Sequence, residues 1–121
     1  MTDRNYSHLI LVVDDEPGII RLCRRLLEKG GFRVAAFTDP LEGLAFLQHD
    51  QASLLLVDIR MPGMDGFEFM KQARQQQPDL AVVIMTGYGT VETAIEALHK
   101  GADGLVLKPF TGKELVESVH R

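Results

Sequence analysis

Five short apolar runs alternate along the chain with five amphipathic segments. The runs cover roughly residues 8–13, 32–37, 53–58, 81–86 and 103–107, rich in Val, Leu and Ile and without strict alternation. A strand wetted on one face alternates apolar with polar residues, whereas a strand covered on both faces does not. The runs therefore predict buried strands of a parallel sheet. Between them lie helical signals. Pro17 suits the first turn of a helix whose stripe is Ile19, Leu22, Cys23, Leu26 and Leu27, ended by Gly30-Gly31. Asp39-Pro40 opens a second helix carrying Leu41, Leu44 and Leu47. Asp65 with Glu68 three residues on predicts a capping box for a third, stopped before Pro78. Thr90 caps a fourth, with Val91, Ala94, Ile95 and Leu98 on one side and Gly101 after it. Thr111 or Gly112 begins a fifth that runs to the last residue.

A regular β-α alternation of this length implies one α/β domain over residues 1–121, with right-handed crossovers and helices on both faces of the sheet. Residues 1–7 are expected to form a short or disordered N-terminal tail. A doubly wound sheet of this size takes the flavodoxin-like strand order 2-1-3-4-5, with five helices, and binds its ligand beyond the carboxyl ends of the strands.

That edge is where the charged residues collect. The first run ends in Asp14 and Asp15, the third in Asp58, and the fifth in Lys108; Thr86 ends the fourth. Carboxylates brought together raise one another's pKa or demand a cation between them. Oxygen donors without His or Cys favour Mg²⁺. Asp15 and Asp58 could bind it directly, Asp14 through a water, and the backbone carbonyl of Arg60 could add a further oxygen. A carboxylate can also attack a phosphoryl group to form an acyl phosphate, and Mg²⁺ with Lys108 would offset the incoming negative charge. The Thr86 hydroxyl could hydrogen-bond a phosphoryl oxygen, and Gly87 leaves room beside it.

Val-Val-Asp-Asp-Glu at 12–16, Leu-Val-Asp-Ile-Arg-Met-Pro-Gly-Met-Asp-Gly at 56–66, Met-Thr-Gly-Tyr-Gly at 85–89 and Leu-Lys-Pro-Phe at 107–110 occur in order and at compatible spacing. On these motifs the chain resembles, over nearly its whole length, the receiver domain of two-component response regulators. The resemblance implies that Asp58 accepts a phosphoryl group from a histidine kinase, a phosphotransfer protein or a small phosphodonor. It also implies that Asp14 and Asp15 hold Mg²⁺, that Lys108 and Thr86 contact the phosphoryl group, and that the Lys108–Pro109 peptide is cis. Many receivers carry a Tyr or Phe three residues before the lysine that changes rotamer with the threonine. Here that place is Leu105. The switch is then expected to run through Thr86 and the 87–90 loop, or to enlist Tyr88. Arg60 and Tyr88 would overhang the site. Phosphorylation is expected to shift the face formed by helix four, strand five and helix five, with a phosphorylation-dependent dimer as one outcome. An output domain is expected beyond residue 121.

Composition narrows the alternatives. Net charge is −4, with no basic stripe, which argues against direct nucleic-acid binding. No apolar run approaches the roughly 20 residues of a membrane span, and residues 1–7 lack a signal-peptide core. Cys23 cannot form an internal disulfide, in keeping with a cytoplasmic location, and its place in an apolar stripe marks it as core. His8, His49, His99 and His120 show no metal-like pairing, and Met61, Met64 and Met70 read as packing. An aspartyl phosphohydrolase would need a second acid two residues after its nucleophile, where Arg60 stands. A nucleotide or flavin binder would need a phosphate loop after the first strand, where Asp14-Asp15-Glu16 repels phosphate. A degenerate receiver would have lost site residues that are all present here. The expectation is a phosphoacceptor domain with no turnover of an external substrate.

Overall fold

The structure is a computed structural model that describes residues 8–87 and 89–120. The expected tail over residues 1–7, Tyr88 and Arg121 lie outside the described residues. Strands β1 (Leu9–Val13), β2 (Arg33–Phe37), β3 (Leu54–Asp58), β4 (Ala81–Thr86) and β5 (Gly104–Leu107) alternate with helices α1 (Pro17–Lys29), α2 (Pro40–His49), α3 (Gly66–Gln76), α4 (Val91–His99) and α5 (Gly112–Val119). The strands pair in parallel in the order β2-β1-β3-β4-β5, the expected doubly wound sheet. Every strand begins within one residue of its sequence expectation.

Successive side chains of a strand point to opposite faces, and both faces are covered. Leu11, Val13, Leu55, Val57, Val82 and Ile84 join Leu44, Leu47, Phe67, Phe69, Met70 and Ala73 of α2 and α3 in one core. Ile10, Val12, Leu56, Val83, Met85 and Val106 join Cys23, Leu27, Leu115 and Val119 of α1 and α5 in the other. That two-sided burial is why the runs contain no polar alternation. Cys23 is fully buried, and its thiol donates to Met85 Sδ at 3.9 Å. Burial, reinforced by the charge of Asp14, pushes its pKa up to about 12, so it is a core residue as expected. Met61 and Met70 are buried and Met64 packs on the same core, while the four histidines are exposed.

Helix starts follow their capping residues, with corrections in detail. Asp39, Asp65, Thr90 and Thr111 each accept a backbone N–H at the first turn of their helix. Only half of the predicted Asp65 box forms: the Glu68 carboxylate instead accepts from Gln72 Nε2 at 2.9 Å. The reciprocal box is at Thr111 and Glu114. α5 stops at Val119 rather than at the last residue, with His120 as its C-cap. Leu41 does not join the buried stripe of α2; it is 66% exposed on the first turn. The larger departure is α4, where Val91, Ile95 and Leu98 are 76%, 47% and 70% exposed and only Ala97 is buried.

Candidate functional site

Register assembles the site. Val13 pairs with Val57, so the residues that follow them, Asp14 and Asp58, become neighbours where β1 and β3 end. Asp58 pairs with Met85 and Thr86 with Leu107, which carries Thr86 and Lys108 to the same edge. The Lys108 amide donates to the Thr86 carbonyl at 2.8 Å, tying the last two strand ends together. The Lys108–Pro109 peptide is cis. Helix α3 begins hard against the end of β3: a Cβ on Gly66 would meet the Asp58 carbonyl oxygen at 2.4 Å. Only glycine allows that approach, so the Asp58 backbone is held from behind.

The carboxylates of Asp14, Asp15 and Asp58 offer oxygens that all lie within 4.8 Å of one another. Asp14 and Asp58 are buried, and Asp15 is the most open of the three. The Lys108 ammonium donates to Asp14 Oδ2 at 2.6 Å and sits 3.1 Å from Asp58 Oδ1. The other Asp14 oxygen accepts from the Glu16 amide at 2.9 Å. Burial, then the charge of Asp14, raises the Asp58 pKa above the usual carboxylate range, with Lys108 opposing. For Lys108, burial favours the neutral amine. The hydrogen bond and charge of Asp14, followed by those of Asp58, outweigh it and raise its pKa above the ordinary value. One ammonium thus serves several carboxylates, and the residual negative charge suits a divalent cation with oxygen ligands.

Asp14, Asp15, Asp58 and Lys108 are therefore together, with one unexpected neighbour. Glu16 brings a carboxylate oxygen to 3.7 Å from Lys108, a contact whose only advance signal was its place after the acidic pair. Thr86 is buried and Gly87 exposed, with open space where a Cβ would project. Arg60 is exposed in the loop after β3. Leu105 is half-buried against the α2–α3 core, and Leu107 lies against Gly89 across the mouth of the β4–α4 loop.

Residues 10–120 match the family model described as the response regulator receiver domain. The chain belongs to that family. It is 36% identical over 112 residues to the C4-dicarboxylate transport transcriptional regulatory protein DctD of Rhizobium meliloti, covering 93% of this chain and 24% of that protein. It is 39% identical over 113 residues to the DNA-binding transcriptional regulator NtrC of Salmonella typhimurium, again covering 93% and 24%. This receiver thus spans about a quarter of the length of those relatives. Among solved structures it superposes on chemotaxis protein CheY4 of Vibrio cholerae with a TM-score of 0.88 at 30% identity, covering 94% of this chain and 97% of that one. A receiver domain from Methanospirillum hungatei gives 0.85 at 32%, covering 93% and 90%. The fold and a general phosphoacceptor signalling role follow from the family. Among the described residues no helix is long and apolar enough to cross a membrane.

Proposed function

We propose that Asp58 is the phosphoacceptor, receiving a phosphoryl group from a histidine kinase, a phosphotransfer protein or a small phosphodonor. The observation that carries this reading is Lys108, whose ammonium spans Asp14 and Asp58 at the sheet's carboxyl edge. An Asp58 carboxylate oxygen attacks phosphorus, the bond to the donor breaks, and its electron pair leaves with the donor group. Lys108 keeps Asp14 and turns its remaining donors to the new phosphoryl oxygens, while the Thr86 hydroxyl supplies another hydrogen bond. Asp14, Asp15, Asp58 and the Arg60 carbonyl would hold Mg²⁺, which when bound neutralises phosphoryl charge and orients the displacement. The domain assists its own phosphorylation and hydrolysis and turns over no external substrate.

The event is read out through Thr86, the 87–90 loop and α4, in the cytoplasm, by an output domain beyond residue 121. The size and names of DctD and NtrC support a transcriptional output. Exposed Val91, Ile95, Leu98 and Leu107 support a phosphorylation-dependent dimer through α4, β5 and α5. A ligand that favours one of two arrangements by a few kcal/mol changes the dominant population. Because Leu105 is not aromatic, loop movement takes the place of a ring rotamer.

Incubation with Mg²⁺ and acetyl phosphate followed by intact-mass spectrometry tests acceptance. The wild type should gain one phosphoryl group, and Asp58→Asn none. An equal gain in Asp58→Asn would sink the assignment. Asp15→Ala should lose Mg²⁺-dependent phosphorylation while keeping its circular dichroism spectrum; retained phosphorylation would place the metal elsewhere.

A further inference from the structure

The two ends of α4 are held very differently, and a side chain on another helix supplies the directional bonds at one of them. Arg74, in the last turn of α3, spreads its guanidinium across four partners, one of them Met70 Sδ of its own helix, 3.8 Å from Nη1. Its Nε donates to the Leu80 carbonyl at 3.1 Å, Nη1 to the Gly101 carbonyl at 2.6 Å, and Nη2 to Asp103 Oδ2 at 2.8 Å. That same Asp103 oxygen accepts from the Val82 amide at 2.8 Å, and the Asp103 amide donates to the Val82 carbonyl at 2.8 Å. Gly101, with φ of 91°, turns the chain out of α4, and a Cβ there would come within 3.2 Å of Nη1. Around this fork the Gly101 and Ala102 amides close the helix end on Leu98 and Ala97, both Ala97 and Ala102 are buried, and the Lys100 ammonium lies 4.7 Å from the centre of the Phe67 ring.

Among the described residues the other end has nothing comparable. Thr90 caps the Thr93 amide at 3.1 Å and meets its hydroxyl at 3.0 Å, both contacts local. Among the described residues, Val91–Ile95 make no side-chain hydrogen bond to another element, and Val91 and Ile95 are exposed. Among the described residues, an external contact at this end is Gly89 against the Leu107 side chain, an apolar touch. An exposed ion pair alone holds little, but a planar fork satisfying two carbonyls and a carboxylate is directional, and lysine cannot reproduce it.

We propose that Arg74 is a positioning residue that fixes the C-terminal end of α4 as a pivot, so that phosphorylation of Asp58 swings only the end next to Thr86. The inference deepens the phosphoryl-switch reading and rests on it. A nine-residue helix is a lever of roughly 13 Å. Anchored at Gly101, it turns a small pull at Thr86 into movement of Val91 and Ile95 while leaving the start of β5, and so the sheet register, in place.

The test is backbone amide NMR of the chain before and after phosphorylation with Mg²⁺ and acetyl phosphate, joined to hydrogen exchange of the unphosphorylated protein. In the wild type, shift changes should be large over residues 86–95 and fade by 98–104. In Arg74→Met they should extend through 98–104. Exchange at the Gly101, Ala102 and Asp103 amides should rise roughly tenfold with little change in the core of β1 and β3. Arg74→Lys should lie between the two, because it keeps the charge and loses the fork. A simple loss of stability would raise exchange throughout the molecule and leave the shift gradient intact, and that result would overturn the proposal. So would wild-type changes at 98–104 equal to those at 87–95. Absence of any phosphoryl mass gain would instead remove the phosphoacceptor reading, and the exchange data on Arg74→Met would still decide whether the anchor exists.

Discussion

Helices α1 and α4 carry the same kind of pattern and meet opposite fates. Each has apolar residues at helical spacing: Ile19, Leu22, Cys23, Leu26 and Leu27 in one, and Val91, Ala94, Ile95 and Leu98 in the other. In α1 the stripe seats Cys23 and Leu27 at 0% exposure, with Ile19 and Leu26 packed beside them on the α1–α5 core. In α4 the larger apolar side chains face outward, and Ala97 is the buried residue. The difference lies in what is underneath. β1, the strand before α1, is flanked on both sides, whereas α4 leads into β5, a four-residue strand at the sheet's edge. Amphipathicity in a sequence states that a face wants cover. It does not say whether this chain supplies it.

The largest expected effect follows from that contrast. Leu27→Ala removes a fully buried side chain between α1, α5 and the sheet and should destabilise the domain by about 3 kcal/mol. Urea denaturation would show it as a lower midpoint at unchanged slope. A cost below about 1 kcal/mol would mean that the α1 layer closes over the void, and the distinction between the helices would lose its energetic half.

A second test sets the site against its scaffold. The raised pKa of Asp58 means that the folded protein binds that proton more tightly than the unfolded chain does. For a group shifted in this direction, stability is fully present below the unfolded value and is lost as pH rises through the folded one. Ionised Asp58 therefore costs the metal-free protein stability at neutral pH. Lys108 has the same sign of shift but a higher range, so its contribution persists until strongly alkaline pH. In Asp58→Asn the ammonium would keep its Asp14 partner, 2.6 Å away in the unmutated chain. In EDTA the variant should melt a few degrees above wild type at pH 7, with the gap closing towards about pH 4. Mg²⁺ should raise the wild-type midpoint and the variant's much less. A variant less stable than wild type at pH 7 would show that Lys108 compensates Asp58 more than burial penalises it.

Much of this was legible in the sequence because two-sided burial writes itself as an uninterrupted apolar run. Leu54-Leu55-Leu56-Val57 followed by Asp58 fixes a strand, its end and a residue placed at that end for a reason other than packing. Once strand order is known, parallel register brings Asp14, Asp58, Thr86 and Lys108 together without further information. What stayed hidden were contacts that depend on side-chain reach between distant elements. Arg74 to Gly101 spans 27 residues, and Gln77 likewise ties the α3 end to Asp50 and Ala52. Neither makes a motif. The half-formed Asp65 box shows the same limit, since spacing alone does not reveal that Glu68 prefers Gln72.

The smallest stability effect should accompany the clearest change in association. Leu98 is 70% exposed and contributes little to the core, so Leu98→Ala should change stability by no more than about 0.5 kcal/mol. Contiguous exposed apolar side chains on a domain surface mark a partner's seat, and here Val91, Ile95 and Leu98 share one helix whose Thr90 end adjoins Thr86. If phosphorylation turns that helix to form a dimer, Leu98→Ala should weaken self-association of the phosphorylated chain in sedimentation velocity while leaving acetyl-phosphate labelling of Asp58 unchanged. Leu41→Ala, a similarly exposed leucine on α2, serves as the control and should alter neither. Equal association of both variants would detach the exposed α4 face from dimer formation. A loss of stability in Leu98→Ala approaching that of Leu27→Ala would show that α4 is seated as firmly as α1.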